Sequence, residues 1–267
     1  MKQTSIKSKK WLKSRPILIT ASILFFSVTA LFSSYAVAQV KNIVLVHGAF
    51  ADGSGWQGLY NILTAKGYKV SVVGNPDLGI PEDVAATQRV IDRQDGPCIL
   101  VGHSYGGAII TVAGNSPKVA GLVYISAFAP DAGENLIGLL QSYPHDPLSG
   151  ILPPDENGFV WYDREKYHSG FCQDLPTEQA NFMADSQLPT AVIAFTYKFT
   201  DIAWKKKPTW YIVATEDHSI PPDLERKMGK RTGGTVSEID GSHLIFISHP
   251  DEVAKIVEAA ANGSVSK

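Results

Sequence analysis

Six short runs of β-branched and apolar residues recur along this chain, separated by stretches in which apolar residues follow a helical spacing. This alternation constrains the fold more than any other feature. The runs are Ile43–Val46, Lys69–Val73, Cys98–Val101, Leu122–Ile125, Trp210–Ala214 and Val236–Ile239. Most are apolar almost throughout, as strands covered on both faces should be. Between them, Trp56, Leu59 and Leu63 mark a helix that stops at Gly67, a favourable residue just past a helix end. Pro81-Glu82-Asp83 opens another, with proline in the first turn and acids near the positive end of the helix dipole. Val253, Ile256, Val257 and Ala260 follow the i, i+3, i+4, i+7 spacing after Pro250. The pattern predicts an α/β fold: a doubly wound, mostly parallel sheet with helices on both faces.

One section breaks the rhythm. From Asp131 to Lys207 no clear strand is visible, and prolines, glycines and aromatics are scattered among helical patches such as Thr177–Ser186. A long strandless insertion in a compact domain is usually functional. The expectation is a helical cap over the active site, the alternative being a helical excursion that extends the core.

The N-terminus is set apart. Lys2, Lys7, Lys9, Lys10, Lys13 and Arg15 form a basic head, an apolar run spans Ile17 to Phe32, and Ala36-Val37-Ala38 follows. This order predicts a secretory signal peptide, residues 1–38, cleaved before Gln39, and a secreted or periplasmic protein. The alternative is an uncleaved anchor, for which the run is short. Cleavage would leave residues 39–267 as a single domain, 229 of the 267 residues, with 18 basic against 26 acidic side chains and a formal charge of −8. So acidic a domain is a poor partner for nucleic acid or, once the leader is gone, for anionic membranes. A small neutral substrate suits it better. The two cysteines, Cys98 and Cys172, do not make a disulfide framework and are expected to be free thiols.

The chemistry is carried by Gly102-His103-Ser104-Tyr105-Gly106-Gly107, a G-x-S-x-G motif that directly follows one strand and precedes a helical run. A serine on so sharp a strand-to-helix turn needs a strained backbone, and Gly102 and Gly106 remove the clashes that side chains would cause. The turn lifts the hydroxyl of Ser104 above the sheet at a helix N-terminus, where developing negative charge is favoured.

A serine hydroxyl is a poor nucleophile until a base takes its proton. Of seven histidines, His47 and His103 read as structural, His145 and His168 lie in the insertion, and His249 borders the last helix. His243 fits best as the base, because Gly241-Ser242-His243 follows the last strand at the same sheet edge as the serine; His218 is its rival. Asp217, just past the strand ending at Ala214, is the candidate acid that fixes the tautomer of the base. The chain order Ser104, Asp217, His243 is that of the α/β-hydrolase arrangement. The oxyanion donors are expected to be the backbone N–H of Tyr105 and one from the loop His47-Gly48-Ala49-Phe50, with Ala49 preferred and Phe50 next. Phe50 and the insertion aromatic Trp161 are candidate substrate contacts in an apolar pocket. No metal-ligand spacing and no phosphate-cradling loop is present, so no metal and no cofactor is expected.

Leu45-Val46-His47-Gly48-Ala49-Phe50-Ala51-Asp52-Gly53-Ser54-Gly55-Trp56 and Val101 to Gly107 resemble the α/β-hydrolase superfamily, in particular bacterial esterases related to plant methyl esterases and hydroxynitrile lyases. The resemblance spans essentially the whole mature chain. It implies the triad Ser104, Asp217, His243 and the oxyanion pair Ala49, Tyr105. It also implies a six-stranded sheet, because the two strands that precede Ile43 in larger relatives have no counterpart after the leader. Some bacterial members of this group hydrolyse bulky hydrophobic esters, pyrethroids among them. The lyases carry threonine where Gly48 stands and lysine where Leu244 stands, which sets this chain apart from them.

The leading expectation is therefore a carboxylesterase-type serine hydrolase that cleaves small apolar esters through an acyl-enzyme. A C–C bond hydrolase, a hydroxynitrile-lyase-like enzyme and a non-catalytic ligand receptor on the same fold are the alternatives. The acyl and alcohol parts of the substrate and the oligomeric state are not legible in the sequence.

Overall fold

The computed structural model describes Met1 and residues 40–263. Residues 2–38 of the expected leader 1–38 lie outside the described residues. Among the described residues there are eight strands: β1 Asn42–Val46, β2 Lys69–Val73, β3 Cys98–His103, β4 Val119–Ile125, β5 Phe159–Val160, β6 Thr190–Ala191, β7 Thr209–Ala214 and β8 Thr235–Ile239. Six of them form one sheet in the order β2-β1-β3-β4-β7-β8, and every pairing in it is parallel. All six runs read from the sequence are in it.

The helices are α1 Gln57–Ala65, α2 Ile80–Asp92, α3 Tyr105–Ala113, α4 Leu136–Gln141, α5 Arg164–Phe171, α6 Thr177–Asp185, α7 Val192–Thr196, α8 Pro222–Arg231, α9 Ile245–Ser248 and α10 Pro250–Ala261. Strand β2 lies on one side of β1, and β3 on the other. Because parallel crossovers are right-handed, this reversal puts α1 on the opposite face from α2, α3 and α8. Accordingly α1 packs against α10, and α2 against α3. Among the described residues no helix is long and apolar enough to cross a membrane.

Strand order also explains a difference in burial. The four inner strands β1, β3, β4 and β7 are buried nearly throughout, whereas the edge strands β2 and β8 are only partly covered, β2 exposing Lys69 and Val72 and β8 exposing Val236 and Glu238. The section between β4 and β7 holds α4 to α7, and it is not strandless as expected: β5 and β6 pair antiparallel over two residues each. Runs this short carry no readable alternation, which is why the sequence concealed them.

The reversal between β2 and β3 places a crevice at the carboxyl ends of β1 and β3. In open α/β sheets this is where ligands bind.

Candidate active site

At the end of β3 the chain turns at Ser104, which has φ +52° and ψ −121°, and enters α3 at Tyr105. For a residue with a side chain this backbone costs about 1–3 kcal/mol and persists only where its surroundings impose it. Here they do. The N–H of Ser104 donates to the Ile125 carbonyl at 3.2 Å, and its own carbonyl accepts from the N–H groups of Gly107 at 3.0 Å and Phe128 at 3.1 Å. A β-carbon on Gly102 would stand 2.6 Å from the Gly106 oxygen, and one on Gly106 would stand 2.4 Å from the Val46 oxygen. The glycines of the motif are thus fixed by backbone on two sides, as the sequence reading anticipated.

The next loop to reach this edge follows β7. Asp217 is buried there, and its Oδ1 accepts from the backbone N–H of Ser219 at 2.6 Å and of Ile220 at 2.8 Å. Its Oδ2 is hydrogen-bonded to Nδ1 of His243, which stands in the loop between β8 and α9. The side chains of this pair are 0 % and 1 % exposed. The His243 carbonyl accepts a hydrogen bond from Nε2 of His103 at 3.0 Å. Burial, and then the neighbouring His243, hold His103 well below the usual histidine range, so it is a neutral strut. His218, the rival base, pairs instead with Asp146 at 2.8 Å.

Ser104, His243, Ala49, Phe50 and Tyr105 all line one narrow cavity of about 20 Å³. Its wall is otherwise mainly apolar, with Phe128, Leu140, Ile151, Phe171 and Phe195. Tyr105 opens α3, so its N–H belongs to the first turn, where donors have no intrahelical acceptor. Ala49 faces the same space from the loop after β1. An outer groove of about 270 Å³ shares Leu140, Ile151 and Ser219 with this cavity.

Phe50 is held in place by residues far away in sequence. Its backbone has φ +62°, its carbonyl accepts from the Tyr167 hydroxyl at 2.8 Å, and its ring stacks on Phe195 with centroids 6.3 Å apart. Trp161 is different. It is 38 % exposed, its indole N–H donates to Asp155, and it is not part of the cavity wall. The alternation of the chain puts its neighbour Tyr162 inside instead, packed edge-on against Phe50.

Three acids support this site that sequence reasoning did not single out for it. Asp83 accepts the Tyr105 hydroxyl at 2.6 Å, besides standing in the first turn of α2. Asp174, between α5 and α6, accepts from the Ser242 N–H at 2.9 Å and the Ser248 hydroxyl at 2.8 Å, which fixes the loop that carries His243. Glu225 on α8 lies against Asp217 and His243: one ligating atom from each of the three falls within 4.8 Å of the others. Asp217 accepts three N–H donors on its two oxygens, from Ser219, Ile220 and His243. No local pattern marks these acids, because each partner is distant along the chain. Both cysteines are free and buried, and burial pushes the Cys98 thiol up to about 11 and the Cys172 thiol up to about 12.

A parallel six-stranded sheet with a serine on the turn after its third strand defines an α/β-hydrolase. Residues 43–256 match the alpha/beta hydrolase family, and the chain belongs to that family. It is 29% identical over 249 residues to the pyrethroid hydrolase of Sphingobium wenxiniae, covering 82% of this chain and 86% of that one. It is 32% identical over 167 residues to the carbendazim hydrolyzing esterase of a Nocardioides species, covering 55% of this chain and 65% of the other. Against salicylic acid-binding protein 2 of Nicotiana tabacum the identity is 27% over 257 residues, with 82% and 97% covered. The crystal structure of a pyrethroid hydrolase from Sphingobium faniae superposes with a TM-score of 0.72 over 85% of this chain and all of that one, at 24% identity. That likeness is one of fold.

Proposed function

We propose that this protein is a carboxylesterase that works through an acyl-enzyme on Ser104, with His243 as general base and Asp217 as its orienting acid. That it is an esterase-type hydrolase follows from its family and from relatives named as esterases and hydrolases. The observation that carries the finer reading is the buried His243–Asp217 hydrogen bond, beside a cavity that also holds the strained Ser104. In this mechanism Ser104 Oγ attacks the ester carbonyl carbon while its proton passes to Nε2 of His243. Asp217 keeps the proton on Nδ1 and stabilises the imidazolium. The tetrahedral oxyanion takes hydrogen bonds from the N–H groups of Tyr105 and Ala49, each a stabilisation of about 3 kcal/mol. Collapse expels the alcohol, which leaves with the proton from His243. Water, deprotonated by the same base, then releases the acid and restores Ser104.

The apolar wall, and an outer groove that shares Leu140, Ile151 and Ser219 with it, support an ester with a bulky apolar part. The relatives named for pyrethroid and carbendazim hydrolysis agree with this choice. We assign the section from 131 to 207 the role of a cap, because Leu140, Ile151, Phe171 and Phe195 reach from it to the wall that holds Ser104. Export as a secreted or periplasmic protein is proposed from the leader pattern; intact mass of protein secreted by a bacterial host should start at Gln39. Turnover of 4-nitrophenyl esters by the purified chain tests the activity. Folded protein with no turnover, and no phosphonate label on Ser104, would overturn it.

A further inference from the structure

Beside the His243–Asp217 pair, and outside the cavity wall, lies a carboxyl group with no assigned task. Glu225 sits on α8 with no exposed surface. Its Oε2 accepts the Ala214 N–H at 3.0 Å, while its Oε1 meets no N–H or O–H donor. The polar group beside it is the Asp217 carboxylate, with an oxygen of each within 4.8 Å of the other. Two buried carboxylates cannot both stay ionised at that separation. Three N–H donors converge on Asp217 and one on Glu225, so donor count assigns the charge to Asp217 and the proton to Glu225.

We infer that Glu225 is a protonated positioning residue whose Oε1–H donates to the Asp217 carboxylate and locks it toward His243. The inference rests on the catalytic reading above for its consequence, though not for its geometry. Asp217 then holds four donors in fixed directions. The Glu225 O–H draws electron density from Asp217, so the carboxylate orients the imidazolium without taking its proton. Burial, and then the charge of Asp217, push Glu225 well above the usual glutamate range, in agreement with the geometry. The titratable and charged groups around Glu225 are Asp217 after β7, His243 after β8, the Tyr211 phenol on β7 and Arg226 on α8 itself. Arg226 is engaged by Asp223 and Glu238, and Tyr211 donates to the Ala127 carbonyl, so neither supplies the proton that Asp217 receives.

The test compares Glu225→Gln, which keeps an acceptor for Ala214 and an N–H donor for Asp217, with Glu225→Leu, which keeps neither. Glu225→Gln is expected to retain kcat within about threefold of the wild type. Glu225→Leu should lose about 10- to 100-fold in kcat with KM little changed, since the residue touches no substrate. Wild-type kcat should fall at high pH as Glu225 ionises beside Asp217, and this limb should be absent in Glu225→Gln. An infrared difference spectrum of wild type minus Glu225→Gln at pH 7 should show one protonated-carboxyl band, also in a Ser104→Ala background where no turnover occurs. A missing band, or Glu225→Gln as damaged as Glu225→Leu, overturns the inference. If Glu225→Leu does not fold, the band and the pH profile of Glu225→Gln decide alone. A band with no ester turnover would instead count against the catalytic reading and leave Glu225 protonated.

Discussion

Gly48 lies so close to Ser104 that a β-carbon on it would stand 2.7 Å from the serine Cβ and 2.9 Å from Nδ1 of His103. The loop after β1 therefore approaches the serine turn by having no side chain there. Any side chain at this position would need the two loops to move apart. Gly48→Ala is expected to lower kcat/KM by about 100-fold while leaving the fold intact, because a shift near 1 Å in the reacting groups carries a cost of that size. Full activity in a folded Gly48→Ala variant would mean that this approach is not part of catalysis.

For the proposed nucleophile, a fluorophosphonate should label the protein once, at Ser104. Ser104→Ala should abolish labelling and reduce ester turnover by at least about a thousandfold. Peptide mapping of the label at Ser126 or Ser242 would move the reaction elsewhere.

For the proposed base and acid, His243→Ala should be nearly as damaging as Ser104→Ala, since the two act as a unit. Asp217→Asn keeps the shape and loses the tautomer preference, so kcat should fall by about three to four orders of magnitude. Harm from His218→Ala with none from His243→Ala would refute the assignment.

Phe195 and Phe171 belong to the cavity wall, and Trp161 does not. Phe195→Ala and Phe171→Leu should thus change the ratio of kcat/KM between small and bulky esters. Trp161→Ala should leave that ratio as it is. The opposite pattern across a panel of ester sizes would place the selecting surface outside the cavity.

Asp77, in the loop after β2, is buried at φ +54°, and its carbonyl accepts the Ala191 N–H of β6. Burial, and then the charge of Asp83, push its carboxyl from 3.8 up to about 9. An unfolded chain ionises this group near 3.8, whereas the folded one keeps the proton until about 9. Folding in that window takes up a proton, so stability falls as pH rises, by at most about 1.4 kcal/mol per pH unit from this group. Asp77→Asn, which tolerates the positive φ, should match the wild type below pH 4 and exceed it increasingly toward pH 9. Melting temperatures measured across that range check this; parallel curves would show that Asp77 is ionised in the folded protein.

Much of this protein was legible along the chain because its signals are local. Strand and helix periodicity fixed the six runs that make the sheet, the strand–serine–helix context marked Ser104, and the residues past β7 and β8 supplied Asp217 and His243. These depend on neighbours within a turn or a strand, and a sequence records such neighbours directly. Tertiary structure alone decided the remainder. Which runs became edges followed from strand order, so β2 and β8 expose Val72 and Val236, apolar residues that composition alone would bury. Trp161 and Tyr162 are equivalent by composition, yet packing against Phe50 put Tyr162 inside and left Trp161 at the surface. Asp83, Asp174 and Glu225 resemble any helix or loop acid until the fold brings Tyr105, Ser242 and Asp217 to them. A buried acid is defined by the donors that surround it, and those donors come from segments whose meeting no local pattern encodes.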